Sequence, residues 1–268
     1  MPPLMPRLLD SHVHLDSDAF AHDRDSVIAR AHRAGIESMI IPAVDASSWP
    51  KIKDLCLQTS ALFPTYGLHP MFTAKHAPSD VDALSSWLET GDAVAVGEIG
   101  LDIHADGPDP LLQRHYFQQQ LTLAQTHNLP VIVHARGLLE EVTLTLRRTG
   151  GLRGVVHSFS GSLQQARRLW DLGFYLGIGG TVTYERAQRL HRIVANMPLE
   201  FLLLESDAPD QPDAAHRGQR NEPAYVANVC EYVAALRHTS VAAIAEATTA
   251  NARRLFALDS HHTYVNTP

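Results

Sequence analysis

The chain has 268 residues, of which 45% are hydrophobic and 19% charged, and this composition excludes an intrinsically disordered protein. Its 22 Lys and Arg residues stand against 29 Asp and Glu residues, and the net charge of −7 argues against a general binder of nucleic acid or anionic membranes. A local phosphate pocket is compatible with that charge. The 16 histidines direct attention to metal chemistry, because imidazole is the commonest metal ligand.

Eight short apolar runs, rich in β-branched and aromatic residues, are predicted as strands. They cover residues 7–14, 38–44, 64–69, 93–98, 130–134, 154–157, 174–179 and 201–207. Each gap is long enough for a helix and two loops, and helical periodicity marks residues 23–34, 111–127, 164–172, 225–236 and 241–255. No break in composition divides the chain, so residues 1–268 are predicted to form a single domain.

The cysteines and the hydropathy pattern give expectations about location. Cys56 and Cys230 lie far apart and in no CxxC pattern, as in a reduced cytoplasmic protein without a thiolate metal site. The first residues lack the pattern of a signal peptide, and no apolar run approaches the roughly 18 residues of a membrane span. We therefore expect a cytoplasmic protein that does not enter a membrane, and nothing indicates an obligate protein partner.

Alternating strands and helices fit either a closed (β/α)8 barrel or an open doubly wound sheet, and the residues at the strand ends distinguish them. Histidines or acids close five of the predicted strands: His12 and His14, Glu98, His134, His157 and Asp207. Singly, each could be a hydrogen-bonded strand-end residue or a helix cap. Together they supply the imidazole and carboxylate groups that bind divalent metals, at the edge where barrel active sites lie.

A metal site shared by the first and last strands requires those strands to be neighbours. They are neighbours in a closed barrel, whereas an open sheet normally separates them with other strands. The sequence therefore predicts a (β/α)8 TIM barrel with a metal site at its carboxyl-terminal face.

Several segments, in order and over nearly the whole chain, resemble the TatD-type metal-dependent hydrolases. They are LDSHVHLD, GLHP, AVGEIGLD, VIVHAR, VHSFSG and ESDAPD, followed by RNEPAYV. This family belongs to the amidohydrolase-like barrels, and its better-studied members act as metal-dependent deoxyribonucleases. The resemblance implies two divalent cations (Zn, Mn or Mg) per chain. It assigns His12, His14 and Asp207 to the first cation, Glu98 as the bridge, and His134 and His157 to the second.

Two cations in such a site share a water and lower its pKa, so a bridging hydroxide is the expected nucleophile. Glu98 and Asp207 are the predicted catalytic residues, with Asp207 orienting the hydroxide and accepting its proton. His69 and Arg136 are predicted to bind substrate phosphate. Many relatives carry a second histidine after the GxHP motif, whereas this chain has Met71, which removes part of the expected phosphate contact.

Four other residues are weaker candidates for supporting the site. Ser158 and Asp102 lie near predicted ligands, Ser158 as a residue that could fix a histidine and Asp102 as a helix cap or pocket residue. Asn221 and Glu222 are expected to hold the loop around Asp207.

Three functions fit these predictions. The first is a phosphodiesterase that cleaves DNA, at strand ends or in short single strands. The second is a dinuclear hydrolase of a small phosphoester, ester, amide or aminoacyl substrate, because the same nucleophile attacks phosphorus and carbonyl carbon alike. The third is a barrel that binds metal or nucleic acid without turnover.

Overall fold

In the computed structural model, which describes residues 7–103 and 109–261 and side chains up to residue 259, eight parallel strands form one sheet. Each strand pairs with the next in chain order. The strands are β1 (Leu8–Asp10), β2 (Ile36–Pro42), β3 (Leu62–Tyr66), β4 (Ala95–Asp102), β5 (Val131–Arg136), β6 (Gly154–Val156), β7 (Phe174–Ile178) and β8 (Leu202–Leu204).

Hydrogen bonds between the ends of β8 and β1 close the sheet into a barrel. The Ser11 backbone N–H donates to the Leu204 carbonyl at 3.0 Å, and the Asp207 N–H donates to the His12 carbonyl at 2.9 Å. The predicted (β/α)8 TIM barrel is therefore confirmed, and the open-sheet alternative is wrong.

A helix follows each strand on the outside of the barrel. These helices are α1 (Arg24–Arg33), α2 (Trp49–Gln58), α3 (Ser79–Leu88), α4 (Pro110–Thr126), α5 (Leu139–Thr149), α6 (Leu163–Asp171), α7 (Gln188–Asn196) and α8 (Val226–Leu236). Local chemistry sets their ends. Ser162 and Gln165 form a reciprocal capping box at the start of α6, and Gly173, with a φ of 82°, follows its last turn. The five helices predicted from periodicity match within one residue at each end.

The barrel interior is a packed hydrophobic core. One buried cluster takes a side chain from every strand, an arrangement that only the interior of a closed barrel allows: Leu9, Ile40, Phe63, Ala95, Ile132, Val155, Tyr175 and Leu203. Ala252, Leu255 and Phe256 of α9 (Val241–Phe256) and Leu258 of α10 (Leu258–His261) join the same cluster. These helices therefore cover the amino-terminal end, and the opposite end is left for the site.

Several predicted strands end earlier in the structure. β1 ends at Asp10, β3 at Tyr66 and β8 at Leu204, so the first histidine pair, His69 and Asp207 lie on the loops that follow these strands. The predicted extension of these strands to the polar residues is wrong. The regular ladder stops there because the chain no longer forms consecutive backbone hydrogen bonds to its neighbours, and single bonds such as that from the Val13 N–H to the Ile40 carbonyl at 3.1 Å take its place.

The predicted end of the fourth strand at Glu98 is also wrong, because β4 continues to Asp102. Val96 pairs with Val131 and Ile99 with Val133, so β4 contains one more residue than β5 between the two pairs. This extra residue is a bulge, which bends a strand and redirects a side chain. The bulge contains Glu98, so this carboxylate enters the barrel mouth from within a strand.

The described helices can also be compared with the expectation that the protein does not enter a membrane. Within residues 7–103 and 109–261, no helix combines the length and apolar character needed to cross a bilayer.

Candidate active site

A cavity of about 1020 Å³ opens at the carboxyl-terminal end of the barrel. Most of the residues predicted to bind metal or substrate line it: His14, His69, Glu98, His134, Arg136, His157 and Asp207. His12 lies completely buried beneath them. The fold thus brings together the residues that the strand-end pattern singled out.

Glu98 lies at the centre of the cluster, and its two oxygens face different histidine pairs. Oε2 lies 3.2 Å from His12 Nε2 and 3.6 Å from His14 Nε2. Oε1 lies 3.0 Å from His134 Nδ1 and 2.8 Å from His157 Nε2. This geometry is the one expected of a carboxylate that bridges two cations.

On the Oε2 side, the two histidines of the HVH motif converge. Their Nε2 atoms are 3.2 Å apart, and Asp207 Oδ1 lies 3.6 Å from that of His12 and 3.7 Å from that of His14. His14 Nδ1 lies 3.2 Å from the Pro42 carbonyl, which can only accept a hydrogen bond. The His14 ring therefore donates from Nδ1 when neutral and presents the Nε2 lone pair to the site.

On the Oε1 side, Asp102 fixes the orientation of His134. Asp102 Oδ2 lies 2.8 Å from His134 Nε2, so the neutral ring donates there and presents its Nδ1 lone pair to Glu98 and to His157 Nε2, 3.1 Å away. Such a carboxylate behind a histidine is typical of metal sites. Neither role considered for Asp102 describes this contact, because the carboxylate is buried behind His134 outside the cavity lining and the cap of α4 is Asp109.

The pKa values show that the cluster attracts positive charge. Burial alone would raise the pKa of Glu98, but His69, His157 and His12 hold it well below its usual range. Burial alone would lower the pKa of His157, but Glu98 and Glu205 raise it well above its usual range. The Glu98 carboxylate is therefore negatively charged beside a positively charged His157, and a divalent cation would supply the same positive charge.

The types and the closeness of the donor atoms also suit divalent cations. Three groups bring potential ligand atoms within 4.8 Å of one another: His12, His14 and Glu98; His69, Glu98 and His134; and His12, His157 and Glu205. Imidazole nitrogens and carboxylate oxygens are the ligands that Zn²⁺ and similar metals take. Lone pairs that face each other across about 3 Å repel unless a proton or a cation lies between them.

His69 supports Glu98 in this arrangement. The Met71 backbone N–H donates to His69 Nδ1 at 3.1 Å, so the neutral ring carries its proton on Nε2 and donates it to Glu98 Oε1 at 3.0 Å. Burial lowers the pKa of His69 to about 4, which keeps the ring neutral. Met71 is 43% exposed and lines the same cavity. The predicted phosphate contact of His69 stays a prediction.

The Asp207 loop is held in an uncommon backbone conformation. Asp207, Ser158 and Gln211 have φ angles of 55°, 46° and 50°, in the left-handed region that side chains other than glycine rarely adopt. Ser158 Oγ donates to Gln211 Oε1 at 2.8 Å, and the Gln211 amide donates a short hydrogen bond to Asp207 Oδ2. Burial raises the pKa of Asp207 to about 6. Non-glycine residues in this region cluster at functional sites.

Two acids next to the candidate ligands were not predicted from the sequence. Glu205 is buried beneath the site, and Asp10 accepts hydrogen bonds from Ser206 N at 2.9 Å, Ser206 Oγ at 2.5 Å and His12 N at 3.2 Å. The signal was present, because each acid interrupts or closes an apolar run two residues before a predicted ligand. Neighbours at that spacing share a strand face.

Of the RNEP residues, Asn221 does what the sequence led us to expect. Its amide donates to the Ser206 and Asp210 carbonyls at 2.7 Å each, and so joins the two sides of the Asp207 loop. Glu222 instead accepts from Arg30 at 2.7 Å, and so ties this segment to α1.

Arginines surround the cavity mouth. Arg136 lies exposed at the end of β5, and Arg186 and Arg189, which the sequence analysis did not single out, line the same cavity. Among the described residues none of the three forms an ion pair with a carboxylate within 4.0 Å, although Arg189 donates to the Ser160 carbonyl at 2.7 Å. Their charges are available to an anion that enters the cavity.

Known proteins resemble this chain over nearly its whole length. A family model described as TatD related DNase matches residues 9–257. The uncharacterized metal-dependent hydrolase YjjV of Escherichia coli K12 is 40% identical over 253 residues, which cover 93% of this chain and 98% of that protein.

A solved structure and a named exonuclease extend the comparison. The crystal structure of YjjV superposes with a TM-score of 0.91 at 38% identity, covering 95% of this chain and 99% of that one. A Salmonella typhimurium protein named 3'-5' ssDNA/RNA exonuclease TatD is 34% identical over 258 residues, covering 93% and 98% of the two chains. By the family match and these identities, the chain belongs to the TatD family of metal-dependent hydrolases.

Proposed function

We propose that the chain is a phosphodiesterase that hydrolyses DNA with two divalent cations. The observation that carries this proposal is a histidine–carboxylate cluster at the base of a cavity whose mouth presents Arg136, Arg186 and Arg189 without carboxylate partners among the described residues. In a chain with a net charge of −7, three arginines at one cavity mouth without ion-pair partners in the described part of the chain suit a substrate with several phosphates. The Salmonella typhimurium relative that is named as an exonuclease supports the proposal that this chain hydrolyses DNA.

The ligands would divide between the two oxygens of Glu98. We infer that His12, His14 and Asp207 hold one cation, and that His134 and His157 hold the other. When bound, the two cations would lower the pKa of a water between them and stabilise negative charge that develops on phosphorus-bound oxygens. The identity of the cations, Zn, Mn or Mg, is part of the test below.

Asp207 would orient the attacking water and accept its proton. Its Oδ2 is held by the Gln211 amide, so the carboxylate keeps one orientation, with Oδ1 toward His12 and His14. Arg136 would hold a phosphate oxygen. His69 would hold Glu98 in place and would itself contact the substrate from the cavity wall.

The depth of the site favours single strands or strand ends. Glu98 is 1% exposed and His157 is 5% exposed, so the reacting phosphate has to enter the cavity to reach them. An unpaired strand can do this, whereas the interior of a duplex presents its phosphates on a stiff and wide rod. Arg186 and Arg189 would then contact the neighbouring phosphates.

A second candidate is favoured by Met71. This exposed thioether adds no charge or strong hydrogen-bond donor to the cavity where many relatives have a histidine. Hydrolysis of a small phosphoester, ester, amide or aminoacyl bond would need fewer phosphate contacts.

The two free cysteines support the predicted cytoplasmic location without adding chemistry. Cys56 is half-buried and Cys230 is buried. Burial raises the pKa of both thiols, so neither is an activated nucleophile.

The test uses end-labelled DNA and a panel of small substrates. Protein loaded separately with Mg²⁺, Mn²⁺ and Zn²⁺ is mixed with single-stranded and double-stranded oligonucleotides and with p-nitrophenyl phosphodiesters, aryl esters and anilides. We expect stepwise release of nucleotides from single strands, lost in Glu98→Ala and weakened in Arg186→Ala/Arg189→Ala with metal content unchanged. If only the aryl esters and anilides were hydrolysed, the proposed nuclease activity would be overturned in favour of hydrolysis of a small substrate.

A further inference from the structure

A buried carboxylate lies beneath the ligands on the side away from the cavity. Glu205 is 1% exposed and follows β8 by one residue. Its Oε1 accepts a hydrogen bond from the Ser158 backbone N–H at 2.5 Å. Its Oε2 is completely buried and has no hydrogen-bond partner among the described residues. A buried carboxylate oxygen without a partner is costly, so a role for it is expected.

Two further unpartnered atoms belong to the histidines next to this carboxylate. His12 Nδ1 and His157 Nδ1 are buried and lack hydrogen bonds among the described residues. Each histidine brings one ring nitrogen within 4.8 Å of a Glu205 carboxylate oxygen, and His157 Nδ1 lies 3.8 Å from Glu205 Oε1. The two imidazole rings stack at a centroid distance of 4.0 Å and an angle of 10°.

The neighbouring strand leaves room for this carboxylate. A Cβ atom at Gly177 of β7 would lie 2.1 Å from Glu205 Oε2, and one at Gly179 would lie 3.5 Å from Glu205 Cγ. A side chain at position 177 would therefore displace the carboxylate from the two rings. The space beside β7 is shaped to hold Glu205 in place.

The positions of the hydrogens on the two imidazole rings also point to Glu205 as an acceptor. His12 and His157 both direct Nε2 toward Glu98, at 3.2 and 2.8 Å. A neutral imidazole that binds a cation through Nε2 carries its hydrogen on Nδ1, and that N–H needs an acceptor when it is buried. Glu205 supplies a carboxylate within reach of a ring nitrogen of each histidine, and a movement of about 1 Å brings His157 Nδ1 to hydrogen-bond distance.

We propose that Glu205 is a positioning residue that accepts the Nδ1–H of both His12 and His157 and so orients one ligand of each cation. This inference rests on the metal centre of the proposed function. The alternative is a third cation bound between His12, His157 and Glu205. That cation would require both imidazoles to bind metal through both ring nitrogens. The proposed role makes Glu205 a physical link between two sites that otherwise share only Glu98.

The test compares zinc binding in the isosteric variant Glu205→Gln with that in the wild-type chain. Metal-free protein is titrated with Zn²⁺ against a chromogenic chelator at constant pH, and bound zinc is counted. A carboxamide has one acceptor oxygen in place of two, so it cannot accept the Ser158 N–H and both imidazole N–H groups as a carboxylate does, and we expect zinc affinity to fall by about 10–100-fold. Gly177→Ala, which displaces the carboxylate without removing it, is expected to produce a loss in the same range. Glu246→Gln, which alters an exposed glutamate of α9, is the control and should bind zinc like wild type.

A spectroscopic readout separates positioning from general damage. In ¹⁵N-histidine spectra of the zinc-loaded wild-type chain, His12 and His157 are expected to carry hydrogen on Nδ1, with those hydrogens shifted in Glu205→Gln. Wild-type affinity in Glu205→Gln would overturn this inference alone. A third zinc that is lost in that variant would also overturn it, since Glu205 would then be a ligand. A wild-type chain that binds no zinc, manganese or magnesium would overturn both this inference and the proposed function.

Discussion

Asp102 Oδ2 lies 2.8 Å from His134 Nε2, and this contact decides which nitrogen of His134 faces Glu98. We expect Asp102→Ala to weaken zinc binding by about 10–100-fold, because the ring loses the acceptor that fixes its tautomer. Chelator competition measures the loss, and Asp82→Ala, which removes an exposed carboxylate of α3, is the control. Equal affinities in the two variants would show that Asp102 does not orient the ligand.

The close approach of β4 to β5 predicts a stability difference between two glycines. Gly100 has a φ of 141°, and a Cβ there would lie 2.0 Å from the His134 carbonyl oxygen, whereas Gly91 has a φ of 77° and open space around it. Gly91→Ala should cost about 1–3 kcal/mol of unfolding free energy from backbone strain alone. Gly100→Ala should cost more, because the clash adds to the strain. Urea unfolding measures both, and equal losses would contradict the close approach.

The family resemblance and the cavity lining together predict the effect of Met71→His. The side chain at this position is exposed in the cavity near His69, so an imidazole there would add a hydrogen-bond donor for substrate phosphate. We expect KM for single-stranded DNA to fall by about fivefold, equivalent to one hydrogen bond of about 1 kcal/mol, with unchanged zinc content. An unchanged KM would mean that the substrate does not reach this wall of the cavity.

An ion-pair cluster behind the Asp207 loop predicts a pH effect on stability. Asp23 accepts hydrogen bonds from Arg220 at 2.8 and 2.7 Å and from Arg30 at 3.2 Å, and these arginines lower its pKa from 3.8 to about 2. Because the folded pKa lies below the unfolded value, the stabilisation is present above pH 3.8 and is lost as the pH falls through about 2.

Arg220→Ala should return the Asp23 pKa most of the way to 3.8 and reduce that acid-dependent loss. Carboxyl NMR titration measures the shift, with Asp18, whose pKa is lowered by the separate partner Lys51, as an internal reference. A pKa of about 2 in the variant would show that Arg220 is not the cause.

The convergence of the candidate ligands could be predicted from sequence for a physical reason. Parallel strands of a barrel deliver their carboxyl ends to one place, so His134, His157 and Asp207 meet even when the strand ends are misplaced along the chain. The predicted ends lie four residues too late at β1 and three too late at β8, and these errors did not change which side chains converge.

Other parts of the site depend on information that periodicity does not carry. The bulge at Glu98 adds one residue to β4, and no local preference reveals an extra residue in an apolar strand. Glu205 follows an apolar run in the sequence, and its importance appears only when Gly177 and the unpartnered Nδ1 atom of His157 are seen beside it. Arg186 and Arg189 lie around a turn without a motif, and only the barrel geometry brings them to the cavity.

The central claim is that Glu98 lies between two divalent cations. Anomalous diffraction from crystals grown with Zn²⁺ and measured at the zinc absorption edge tests it most directly. We predict two peaks about 3.5–4 Å apart on either side of the Glu98 carboxylate, one near His12 and His14 and the other near His134 and His157. A single peak, or peaks that do not contact Glu98, would contradict the account.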